Sequence, residues 1–158
     1  MNNDSSFSKL STLPIEQLTW TTDTPTKPGW YWSQMRAGRP HVVELVPEQD
    51  SRRLTVAQTG AYVVDLEPEN HRWAGPLMQP AMMPNGLTWS TDKPTTPGFR
   101  WYQAPGQRAC VVEVVYDSET KWLYISQTGA VVNELQEEYR WRGPLTQPSE
   151  APRHAMER

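Results

Sequence analysis

The chain has 158 residues, with 15 Lys+Arg against 18 Asp+Glu and a formal net charge of −3. That size suits one ordinary domain or two very small ones. The acidic balance (pI about 5.6) gives no global attraction to nucleic acid. The single cysteine excludes a disulfide framework or a Cys-rich zinc site. Fifteen prolines and eight tryptophans stand out.

From the N-terminus, residues 1–16 are polar and Ser/Asn-rich and read as a tail. They show neither the basic start nor the apolar centre of a signal peptide. No stretch approaches the roughly 20 apolar residues of a membrane span, and mean hydropathy is −0.71. The expectation is a cytoplasmic protein with no membrane partner.

Residues 17–78 and 87–148 form a tandem repeat. Leu18-Thr19-Trp20 matches Leu87-Thr88-Trp89, Pro28-Gly29 matches Pro97-Gly98, and Gln58-Thr59-Gly60-Ala61 matches Gln127-Thr128-Gly129-Ala130. After one residue is lost, Arg72-Trp73 aligns with Arg140-Trp141, and nearly half of all aligned positions are identical. A repeat of this size marks a duplicated structural unit. Residues 79–86 read as a linker and 149–158 as a frayed tail.

Within a module the hydrophobic period is two. Strands are predicted over Gly29–Met35, His41–Val46, Arg53–Gln58, Tyr62–Leu66 and Trp73–Leu77, with Gln58–Ala61 as a hairpin connection. The expected fold is all-β: a tandem duplication of a small four- to five-stranded antiparallel, SH3-like barrel or sheet. Closure would remove the edge strands that so small a sheet exposes.

Trp20/Trp89, Trp32/Trp101 and Trp73/Trp141 match across the copies. One reading makes them core residues whose indole N–H bonds a backbone carbonyl. The other lines a ligand pocket with Trp20, Trp32, Trp89 and Trp101, joined by Glu44 and Glu113. Each of these glutamates sits mid-strand among valines and points away from the module core, where it would either protect an edge or meet a ligand. The unmatched aromatics give a second candidate. If Trp32 and Trp101 face inward, Arg100 and Tyr102 face outward with Trp122 and Tyr124. Together they would make an aromatic-plus-Arg patch suited to a protein hot spot or to base stacking, or else the face that docks on the first module.

The sequence shows no phosphate loop, H-E-x-x-H, G-x-S-x-G or C-x-x-C. His41, His71 and His154 have no histidine counterparts, and His41 aligns with Cys110, so a Cys110–His41 pair across modules is the one nucleophile arrangement to consider. No catalytic residue, metal site or cofactor is assigned, and the expectation is a non-enzymatic binding protein. A host protein is the expected partner, with a small molecule or nucleotide as the alternative. The net charge argues against nucleic acid, and homo-oligomerisation is left open.

The pattern W…PG-x-[YR]-W, a VVE-type strand, then W-x-GPL-x-P spans nearly all of both repeats. It is carried by Trp20, Pro28-Gly29-Trp30-Tyr31-Trp32 and Trp73-Ala74-Gly75-Pro76-Leu77. The second copy has Trp89, Pro97-Gly98-Phe99-Arg100-Trp101 and Trp141-Arg142-Gly143-Pro144-Leu145. It resembles small proteins, themselves without an assigned function, that are common in bacteriophages and prophages. The resemblance implies an accessory phage protein of the kind encoded near host-takeover or anti-defence genes. Arg100 in place of Tyr31 departs from the pattern.

Overall fold

A computed structural model describes residues 18–78 and 89–150. The predicted N-terminal tail and linker lie outside the described residues. Module 1 contains β1 (Gly29–Met35), β2 (His41–Pro47), β3 (Leu54–Val56) and β4 (His71–Ala74), and module 2 contains β5 (Gly98–Gln103), β6 (Cys110–Tyr116), β7 (Leu123–Ile125) and β8 (Arg140–Arg142). Each module is one antiparallel four-stranded sheet, ordered β3-β2-β1-β4 and β7-β6-β5-β8. The all-β, two-module architecture therefore holds, but the sheets are open: β3 and β4 are edges, and no ladder among the described residues joins them. Among the described residues no helix is long and apolar enough to cross a membrane.

Two predicted strands are displaced. Over Tyr62–Leu66 the chain makes a single bridge, Thr55 to Tyr62, and then coils into a 3₁₀ turn at Val63–Asp65. The turn drives Val63 into the core at 1% exposure, which a strand continuing along β3 would not do. The last strand begins at His71 and stops at Ala74, because Pro76 has no N–H to extend the ladder. Gly75 is required there: its φ is +148°, and a Cβ would lie 2.8 Å from the Tyr31 ring.

Each module has its own core. Tyr31, Val43, Leu45, Leu54, Val56, Val63 and Trp73 fill module 1, and Val112, Val114, Ile125, Val132 and Trp141 fill module 2. A third core lies between the modules, where Trp20, Trp30, Trp32 and Val42 pack against Phe99, Trp101 and Val111. The expected facing of β1 is thus reversed. Trp30 and Trp32 face the junction, while Tyr31 and Ser33 face the interior of module 1. Alternation could not reveal this, because the second module buries the first module's outer face and makes both faces of β1 and β2 apolar.

The start of module 1 also meets the segment that follows module 2. Thr19 bridges Ser149 in parallel, the Trp20 amide donates to the Ser149 carbonyl at 3.2 Å, and Ser149 N–H donates to Leu18 at 3.0 Å. Arg72 reaches Glu150 at 2.7 Å and lies 4.6 Å over the Trp20 ring. The first two residues of the segment expected to fray therefore strap module 2 onto module 1.

Candidate functional site

Glu44 and Glu113 sit at the module junction, on strands that are central in their sheets, so edge protection is not their role. Glu44 accepts from Arg108 at 2.8 Å, and Glu113 accepts from Arg39 at 2.7 Å. These are reciprocal contacts, each module supplying one Arg to the other's Glu. The carboxylate side chains are 8% and 9% exposed, whereas the guanidinium groups are largely in solvent. Hydrogen bonding and charge from these glutamates hold both arginines above their ordinary pKa. The repeated glutamines complete the arrangement. Gln58 Oε1 accepts from the Glu44 amide and Gln127 Oε1 from the Glu113 amide, both at 3.2 Å.

The pocket tryptophans are brought together, but as packed rings. Trp32 meets Phe99 edge-on at 5.2 Å and Trp101 meets Trp30 edge-on at 6.1 Å, another reciprocal pair. Trp20 is buried and Trp89 packs partly buried against the same cluster. The expected backbone partners are missing: the indole N–H groups of Trp32, Trp101 and Trp141 have no hydrogen-bond acceptor among the described residues. Each unmet donor costs about 1–3 kcal/mol, a penalty the edge-on aromatic contacts offset in part.

The four-residue patch does not assemble. Arg100 is 7% exposed on the core side of β5. It occupies the place of Tyr31, and both reach back four residues to a backbone carbonyl: Tyr31 Oη donates to Lys27 at 2.9 Å, and Arg100 Nη2 donates to Thr96 at 3.1 Å. Burial lowers its pKa. Tyr102 lies on the same inner face against Trp141 at 4.8 Å. Burial, with Tyr139 and Cys110 adding, pushes its phenol up to about 12. Trp122 and Tyr124 point the other way, since Leu123 and Ile125 take the inner face of β7. Trp122 is 48% exposed, and Tyr124 is half-buried with its hydroxyl 3.2 Å from Thr120.

The Cys110–His41 pair fares no better. Cys110 packs against both the junction and the module 2 core. Burial raises its thiol pKa, the reverse of what an activated nucleophile needs.

The feature missed from sequence is a cavity of about 500 Å³ where the inner face of module 1 meets the junction. Ser33, Arg39, His41, His71 and Glu113 are among its polar groups; Met35, Val43, Leu66 and Phe99 are among its apolar walls. Ser33 Oγ and His71 Nε2 are 2.9 Å apart, and His71 stacks on Trp73 at 4.8 Å. Burial, then the nearby His41 charge, lowers the His71 pKa, which favours the neutral imidazole. A hydroxyl on an imidazole is the start of a nucleophile–base pair, but no carboxylate of the described residues bonds His71 to orient it. The signal for this site lay in the repeat's mismatches. Ser33 aligns with Tyr102 and His71 with Tyr139, so module 1 is small where module 2 is large.

No family model, curated protein or solved structure matches the chain.

Proposed function

We propose that this chain is a non-enzymatic interaction protein of the phage-accessory type, which binds and blocks a host protein in the host-cell cytoplasm. Its two modules are read as open, SH3-like sheets docked into one unit. The observation that carries the reading is the two exposed aromatics that flank the β6–β7 turn. Trp122 is 48% and Tyr116 52% exposed, where module 1 has Arg53 and Pro47. The first copy builds the same hairpin without them, so the fold does not demand these rings. Exposed Trp and Tyr are residue types that anchor protein interfaces. Tyr116 lies opposite the inward-facing Leu123 while Trp122 faces the other way, so the two rings offer themselves on either side of the hairpin end. Asp117 and Glu119 in the adjoining turn suit a basic site on the partner.

The test is capture from bacterial lysate by tagged protein, comparing the wild type with Trp122→Ala and Tyr116→Ala. The expected result is one host protein held stoichiometrically by the wild type and lost by the variants, with melting temperatures unchanged. Equal capture by folded variants would remove the hairpin from the interface, and no captured protein would sink the reading.

A further inference from the structure

We infer that the cavity in module 1 is a binding site for a small uncharged phenol, and this inference stands apart from the hairpin reading. The duplicated module indicates what fits. In module 2 the corresponding place is filled by the chain's own tyrosines: Tyr102 stacks with Tyr139 at 5.6 Å and leans on Trp141 at 4.8 Å. In module 1 the same sheet positions carry Ser33 and His71, and His71 moves onto Trp73 directly. A phenol ring has been subtracted from a surface that keeps its tryptophan. The resulting cavity, about 500 Å³, lies within the roughly 300–1,000 Å³ of small-molecule sites.

Charge and hydrogen bonding narrow the class. Besides the imidazoles of His41 and His71, the charged groups at the cavity are Arg39 and Glu113, which neutralise each other at 2.7 Å. Neither is left to compensate an ionic ligand, so a charged molecule would lose its hydration without a partner. By area the walls are otherwise mostly apolar. Gln58 and Gln127 at the rim already accept from the Glu44 and Glu113 amides, Thr59 and Ser126 add hydroxyls, and Ser33 and His71 form a bonded polar spot. Whichever way the proton lies between them, the Ser33 hydroxyl keeps unused capacity. It retains lone pairs if it donates to Nε2, and its own O–H if it accepts. A phenol hydroxyl both donates and accepts, and so matches either case; a purely apolar ring matches neither.

The experiment is an NMR titration of the full chain with p-cresol, the tyrosine side chain as a free molecule, following His71, His41, Met35 and Val43. Saturable shifts confined to these residues are expected, half-complete below about 1 mM, with benzoate at least about tenfold weaker. The double variant Ser33→Tyr/His71→Tyr rebuilds the module 2 filling and is expected to weaken p-cresol at least about tenfold. Ala61→Trp blocks the cavity from its half-buried rim and serves the same purpose if the double variant does not fold. Absent or scattered shifts, equal affinity for benzoate, or undiminished binding by a folded plugged variant would each overturn the inference. Tighter binding of N-acetyltyrosinamide than of p-cresol would also overturn it, by making the occupant a partner protein's tyrosine.

Discussion

His71 couples the stability of module 1 to pH. Its folded pKa lies below the ordinary 6.5 because burial disfavours the imidazolium, and the charge of His41 adds to this. Above 6.5 both folded and unfolded chains carry a neutral ring, and the residue contributes no pH dependence. As pH falls below 6.5 the unfolded chain takes up a proton that the folded chain refuses. Stability is therefore lost as pH falls through the folded pKa. Urea midpoints at about pH 7 and about pH 5 should differ in that direction, and His71→Gln, which keeps a polar partner for Ser33, should shrink the difference. An unchanged pH dependence in a folded variant would place the effect elsewhere. Staying above about pH 5 limits what the lowered Glu48 adds in the same direction, and the His71→Gln comparison subtracts the rest.

Among the connecting elements, two glycines separate backbone strain from crowding. Gly60 has φ +73° and open space where a methyl would go, whereas Gly75 combines φ +148° with the Tyr31 ring 2.8 Å from its Cβ direction and the Trp30 carbonyl at 3.1 Å. Gly60→Ala should cost about 1 kcal/mol from backbone conformation alone. Gly75→Ala should cost more than about 2 kcal/mol, because the ring must also shift. Denaturant unfolding of both variants checks this; equal costs would mean that Tyr31 packing does not set the Gly75 position. The pattern of the β1–β2 hairpin was legible because Pro28-Gly29 and the valine run mark its strands directly. Which way β1 faces was not, since Trp30 and Trp32 on one side and Tyr31 on the other are all buried. The facing of Arg100 on β5 was hidden for the same reason. The 3₁₀ turn at Val63 was illegible for a related one: a β-branched pair reads as strand, and only the tertiary need to bury one valine and expose the next decides otherwise. The Glu44 and Glu113 anomaly was visible, and the repeat also keeps Arg39 and Arg108. Pairing them required knowing that each module faces the other. The cavity needed still more, since a small residue at 33 and another at 71 become one opening only once β1 and β4 are set side by side.

At the scale of the molecule, reciprocal contacts make the two modules one unit. Arg39–Glu113 and Arg108–Glu44 flank the junction, with Trp30–Trp101 and Phe99–Trp32 between them. The strap from Ser149 and Glu150 to Leu18, Trp20 and Arg72 adds a further tie between the modules. Each small sheet leaves an apolar outer face that neither module can cover alone, so docking supplies burial that a domain of this size lacks. The wild type should therefore unfold in a single transition when followed by tryptophan fluorescence and by backbone circular dichroism. Arg39→Ala and Arg108→Ala each strand a buried carboxylate, and because the guanidinium partners are mostly solvated each should cost about 1–2 kcal/mol. Both together weaken the docking itself. The double variant should lose coincidence between the two probes, or show a smaller denaturant slope, as the modules begin to unfold separately. Two separate transitions already in the wild type would refute the coupling. A double variant that stays coincident, with its slope intact, would shift the coupling from the ion pairs to the tryptophan core and the strap.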